Sequence, residues 1–440
     1  MVRLPYSKKK RYLTGIDWIV QGLDYLNRRA TGGGNMFQVV MELDGVVAED
    51  ELREALGRIS EKFPVVNGRV RRDYNLAPYW EMPSRTAKTA LPLIVQHLQD
   101  DQDVFPFLER AANMPFGNQR EHLAFHLIGS GGRSYAAVTF DHCLFDAHGA
   151  EAFLRMLEEE WGKKGPCTRE SVPSEPPHLS EWRRKFEAGR QVNRAFLRLA
   201  KGAGPRVLPL VSSASKQGFR FRVIPFNEQQ SKKIMKRADS EAGYLMAAPY
   251  TMAVTAQVLH SIFTERGICC GDYLVPVTMD ARQRGRVAED VFFNHVSFFL
   301  FRIDGREVED FSMLLKCIKK QMYEQVRAGL ARHMVEASSL MRIVPLPILS
   351  YLIRVYLKGE AASFCFSFLG ENGQMATRFM GKKVDRSYHM TRVPIPPGLG
   401  VFFQQSQGRL SAYLSYVESL LMEDEVDAIV EGLRLRLVGR

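Results

Sequence analysis

Residues 121–161 constrain the fold more than any other stretch of this chain. Two apolar runs, EHLAFHLIG (121–129) and SYAAVTFDH (134–142), are separated by Ser130-Gly131-Gly132-Arg133 and followed at once by AHGAEAFLRMLEEEWGKK. The two runs read as a hairpin, and the spacing of Phe153, Leu154, Leu157 and Trp161 reads as a helix with one apolar face. The joining loop, TFDHCLFDAHG (139–149), crowds His142, Asp146 and His148 between a strand and a helix. A rigid scaffold can present side chains from such a loop.

The rest of the chain repeats the alternation. NMFQVVMELDG (35–45) reads as a strand, AEDELREALGRISEKF (48–63) as a helix closed by Pro64, and VVNGRVRRD turns extended again. Gly32-Gly33-Gly34 lacks the GK[ST] ending of a phosphate loop and reads as a turn. The composition of GPCTRESVPSEPPHLS (165–180) is that of a linker. A basic helix, EWRRKFEAGRQVNRAFLRLAKG, and a second loop lead into a second half that again mixes strands with helices. In it VEDFSMLLKCIKKQMYEQVRAGLARHMVEA reads as one long helix and IVPLPILSYLIRVYL as a buried or surface-seeking one. At 440 residues the chain exceeds what one core usually supports. The expected organisation is a first lobe over 1–185, a crossover over 186–214 and a second lobe over 215–440, both mixed α/β.

With 45% hydrophobic and 25% charged residues the chain is that of a folded protein. Sixty Lys and Arg against 49 Asp and Glu leave a net charge of +11, densest at Ser7-Lys8-Lys9-Lys10-Arg11. That excess suits a polyanion, such as coenzyme A, an acidic carrier protein or an anionic membrane surface, or simply keeps a surface solvated. No zinc finger or RNA-binding signature points to nucleic acid. The six cysteines show no CxxC spacing and no disulfide density, which suits a reducing, cytoplasmic setting. No apolar run reaches the roughly 18 residues of a membrane span.

Three readings of the loop stay open on its residues alone. His142, Asp146 and His148 offer metal ligands, although the other histidines form no second cluster. A His and an Asp can also satisfy each other and the nearby backbone. Alternatively, a histidine side chain titrates near neutrality, so His142 can act as general base on a hydroxyl or amine attacking a carbonyl.

His142-Cys143-Leu144-Phe145-Asp146-Ala147-His148-Gly149 resembles the HHxxxDG element of the chloramphenicol acetyltransferase-like superfamily, which includes condensation domains, BAHD acyltransferases and wax ester synthases. The resemblance extends along the chain. Val275-Pro276-Val277-Thr278-Met279-Asp280-Ala281-Arg282-Gln283-Arg284 is similar to the superfamily's DxRxR segment, and Phe293-Asn294-His295 to its GN element. Ser363 to Gly370 is similar to its late strand, and FPVVNGRV (63–70) to its early helix exit. Asp141 stands where a first histidine is usual, and Ala147 and Phe293 replace glycines.

The resemblance implies two CAT-like lobes, each a mixed sheet with flanking helices, with an active-site tunnel between them. It implies an acyltransferase with His142 as general base and Asp146 as structural partner of Arg282. Asp141, Asn294, Ser367 and Gly370 would lie along the tunnel, with no metal. The donor would be acyl-CoA or a phosphopantetheine-linked acyl group acting as substrate, with no bound cofactor. The acceptor would be an alcohol more readily than an amine, and peripheral membrane contact is compatible. An amide-forming condensation enzyme and a non-catalytic carrier-binding protein are the alternative outcomes. Asp141, next to His142, is expected to favour the imidazolium.

Overall fold

The structure, a computed structural model, describes residues 10–83, 90–165, 168, 170, 172, 181–200, 204–211, 218–282, 290–355, 362–370 and 376–439. Ser7 to Lys9 of the basic run, most of the 165–180 stretch, and Gln283 and Arg284 lie outside the described residues.

The first half runs β1 (Lys10–Tyr12), α1 (Gly15–Thr31), β2 (Met36–Leu43), α2 (Glu49–Lys62), β3 (Arg69–Arg72), β4 (Pro78–Glu81), β5 (Leu93–Leu98), α3 (Val104–Asn113), β6 (Leu123–Ser130), β7 (Arg133–Asp141), α4 (Ala147–Glu160) and α5 (Trp182–Ala200). The second half runs β8 (Phe219–Pro225), α6 (Glu228–Glu241), α7 (Ala247–Glu265), β9 (Asp272–Asp280), β10 (Val296–Asp304), α8 (Phe311–Arg327), α9 (Leu330–Ser338) and α10 (Leu346–Val355). It closes with β11 (Cys365–Leu369), β12 (Arg378–Phe379), β13 (Lys382–Thr391), β14 (Leu399–Ser406), β15 (Arg409–Val417) and α11 (Glu423–Val438). Two six-stranded sheets, ordered β12-β13-β2-β7-β6-β5 and β10-β9-β11-β14-β15-β8, anchor two lobes, and β1-β4-β3 forms a small third sheet.

The β6–β7 hairpin closes at Ser130 opposite Arg133, with Gly131 and Gly132 at φ 54° and 83°. Two consecutive left-handed residues make the turn whose twist matches that of the strands, and glycine adopts it without a Cβ clash. Helix α4 then buries Ala150, Phe153, Leu154 and Leu157 completely. Each of the larger three contributes about 1.5–3 kcal/mol by leaving water. Helix α7 is buried on nearly every side, which accounts for its all-round apolar sequence.

Two expectations need correction. Residues 378–391 belong to the first sheet, not the second lobe: β13 pairs with β2 from Val384 opposite Leu43 to Thr391 opposite Phe37. Strand β2 is buried over nearly its whole length, as suits a strand with neighbours on both edges. The basic helix read into the crossover is α5, which packs against α9. The single long helix beyond Val308 is two, because Gly329 takes φ 60° between α8 and α9.

Candidate active site

His142 is the first residue past β7, and its backbone is held from two sides. Its N–H donates to the Asn35 carbonyl at 2.9 Å, and its carbonyl accepts from Asn294 Nδ2 at 2.8 Å. The Asn294 N–H in turn donates to Asp17 Oδ1 at 3.1 Å, which ties the loop to the start of α1. A side chain on a backbone fixed in this way has little freedom beyond its own rotamers.

Asp146 is the N-cap of α4. Its Oδ1 accepts from Gly149 N at 2.8 Å and from Arg282 Nη2 at 2.8 Å, and its Oδ2 accepts from His295 N at 2.9 Å. Burial pushes the carboxyl up, but the Arg282 charge and these donors outweigh it and hold Asp146 below the usual carboxylate range. Arg282 also reaches Asp280 at 3.1 Å. The ion pair fastens β7–α4 to the segment after β9. Phe293 lies on the same seam at φ 73°, a left-handed position where a glycine is the unstrained choice. Its ring packs edge-on to Trp80 at 5.5 Å and under the Arg11 guanidinium at 3.5 Å, so burial offsets the backbone cost. A Cβ at Gly149 would come within 2.3 Å of the Val291 carbonyl, so the close approach requires glycine at 149 while Ala147 fits the first helical turn.

Asp141 is not on the cavity wall. Its Oδ2 meets His122 Nδ1 at 2.7 Å, its Oδ1 accepts from Cys143 N at 2.9 Å, and His122 Nε2 lies 3.0 Å from the Gly68 carbonyl. Burial raises the carboxyl, and the His122 contact more than reverses this. The Asp141 charge expected to act beside His142 is therefore directed at His122 instead. Nothing in the spacing of His122 marks it as the partner. Asn294 likewise holds the loop backbone and does not line the cavity. Gly370 follows β11 and also lies outside the lining, whereas Ser367 lines it and accepts from Thr278 Oγ1 at 2.9 Å.

The cavity measures about 1060 Å³ and is bounded by both lobes. Phe37 and His389 come from the first sheet, His142 and His148 from the loop after β7 and the first turn of α4, and Val277, Phe298, Ser367 and Phe402 from the second sheet. The ring of Phe37 stands edge-on to His142 at 5.1 Å. The His142 Nδ1 atom is buried without a hydrogen-bond partner. Among the described residues, the metal-ligand atoms that converge belong to Asp24, Asp141 and Cys143 rather than to the His142, Asp146 and His148 set.

No family model and no curated protein matches the sequence. Solved structures do match. A trichothecene 15-O-acetyltransferase from Fusarium sporotrichioides aligns over 98% of this chain and 95% of its own at 15% identity, with a TM-score of 0.70. The first condensation domain of the calcium-dependent antibiotic synthetase aligns over 98% and 97% at 15% identity, TM-score 0.68. The EpoB NRPS cyclization-docking bidomain from Sorangium cellulosum aligns over 98% and 84% at 16% identity, TM-score 0.68. The fold is the CAT-like one. In this CAT-like chain the HxxxD loop, the Arg282 segment and the Asn294 segment meet at one seam, although they are far apart in sequence. No described helix is long and apolar enough to cross a membrane.

Proposed function

We propose that the chain is an acyltransferase that moves an acyl group from a thioester to a hydroxyl acceptor, with His142 as general base. The observation that carries this reading is the imidazole of His142 in the wall of an interlobe cavity, on a backbone clamped by Asn35 and Asn294. The neutral ring takes the acceptor O–H proton as the oxygen attacks the thioester carbonyl carbon. The tetrahedral oxyanion then collapses, the C–S bond breaks, and the departing thiolate takes the proton back from the imidazolium. A thioester is already activated, so positioning, a base and a polar donor suffice. Ser367, on the second sheet, supplies a hydroxyl to the same cavity.

The donor is acyl-CoA or a carrier-linked acyl group, for which the +11 charge is favourable. An amine acceptor uses the same base, and the likeness to a condensation domain supports that second reading. The test is thiol release from a panel of acyl-CoA and carrier-bound donors with alcohols and amines. Release should require an acceptor and fall by about 10²–10⁴ in His142→Ala, with an unchanged melting temperature. Acceptor-dependent release that survives His142→Ala would refute the base assignment.

A further inference from the structure

Helix α5 carries two rows of side chains along its length. Trp182, Phe186, Asn193 and Leu197 recur at spacings of four, seven and four residues and so share one face. Arg183, Arg190, Arg194 and Arg198 recur at spacings of seven, four and four and form the row beside it. The helix holds six Lys and Arg against one acid, Glu187. Glu187 pairs with Arg190, and Glu336 of α9 with Arg184, so the row stays cationic. An amphipathic helix of a folded domain normally hides its apolar face. Here, among the described side chains of α5, Ala188 alone is buried. Phe186 is 59% exposed, Trp182 and Leu197 are exposed with it, and the Trp182 and Phe186 rings lie 5.9 Å apart.

The same face adjoins the cavity. Phe186, Arg190 and Asn193 line it, yet Phe186 and the Arg190 side chain, 68% exposed, also meet solvent, so the cavity opens along α5. Leu349 and Leu352 of α10 line the cavity as well, and Ile343, Ile348 and Tyr351, beside them in sequence, are exposed. We propose that α5 is an interfacial helix that docks on an anionic lipid surface. Trp182, Phe186 and Leu197 enter the boundary between headgroups and acyl chains, the arginine row meets the lipid phosphates, and the cavity opens toward the bilayer.

Charge and polarity select this occupant over the alternatives. A row of arginines beside a row of large apolar side chains matches a lipid interface, where tryptophan is also favoured. An acidic carrier protein matches the arginines but offers Trp182, Phe186 and Leu197 no apolar medium to enter. A second copy of the chain sets the same arginines against each other. The docking surface does not depend on the acyl-transfer reading.

Vesicle sedimentation of the full chain can compare phosphatidylcholine alone with phosphatidylcholine containing phosphatidylglycerol. The protein should bind the anionic vesicles about tenfold tighter or more, and added salt should weaken that binding. Arg194→Gln combined with Arg198→Gln, both exposed and outside the cavity lining, should weaken it by about thirtyfold at an unchanged melting temperature. Brominated phosphatidylcholine in the anionic vesicles should quench tryptophan emission in wild type and lose most of that effect in Trp182→Phe. Equal binding to both vesicles, binding to neither, binding that survives the double arginine variant, or quenching that persists in Trp182→Phe overturns the proposal. Capture of an acidic acyl carrier protein without vesicle binding overturns it in favour of that partner.

Discussion

The two walls of the cavity are built on different principles. On the first-lobe side nearly every polar atom of the 141–149 loop is committed: Asp141 to His122, Asp146 to Arg282, and the His142 backbone to Asn35 and Asn294. On the second-lobe side, Val277, Phe298 and Phe402 offer apolar surface without direction, and the Thr278 and Ser367 hydroxyls among them are bonded to each other. Hydrogen bonds and ion pairs fix geometry to fractions of an ångström, whereas apolar contact depends mainly on volume. The contrast assigns reaction geometry to the first wall and substrate size to the second.

The comparison breaks most severely at the ion pair. Arg282→Ala leaves the Asp146 carboxylate buried without its cation and should cost about 3–5 kcal/mol in urea unfolding, with turnover falling as the α4 N-terminus shifts. Loss of less than about 1 kcal/mol would show that the capping bonds from Gly149 and His295 alone hold the loop.

A smaller effect is expected at Asp141. Asp141→Asn keeps the shape but removes the charge facing His122, and should cost about 1–3 kcal/mol. The folded-state pKa of Asp141 lies below its unfolded value, so its contribution is present above the unfolded carboxylate pKa of about 3.9 and is lost as pH falls through the folded one. Wild type should therefore lose stability on acidification more steeply than Asp141→Asn, measured as melting temperature between pH 5 and 2.

The second wall should respond in selectivity rather than stability. Val277→Phe narrows the cavity and should lower kcat/KM for the longest accepted acyl chain by about tenfold while sparing short donors, because a methylene or two in an apolar pocket is worth only that much. An equal loss for all chain lengths would mean that this wall also sets reaction geometry.

Local pattern made much of this legible. The hairpin at Gly131-Gly132 and the helix from Ala147 follow from turn chemistry and apolar spacing. The approach of Arg282 to Asp146, 136 residues away, was readable only through resemblance to a superfamily. His122, Glu151, His389 and Tyr413 carried no local signal at all. Glu151, His389 and Tyr413 sit in a helix or strands and His122 just before β6, and their meaning comes from strand register and lobe packing. His389 reaches the cavity only because β13 crosses back to pair with β2.

By itself the sequence determined the element types, the loop that carries His142 and the net charge, because each depends on neighbours in the chain or on a simple count. Tertiary structure decided that residues 378–391 complete the first sheet, that Asp141 faces His122 rather than the cavity, and that Glu151 backs the imidazoles of His148 and His389. Those outcomes depend on which buried polar groups find partners across long loops, and the pairing is settled only when the sheets and the seam between the lobes close.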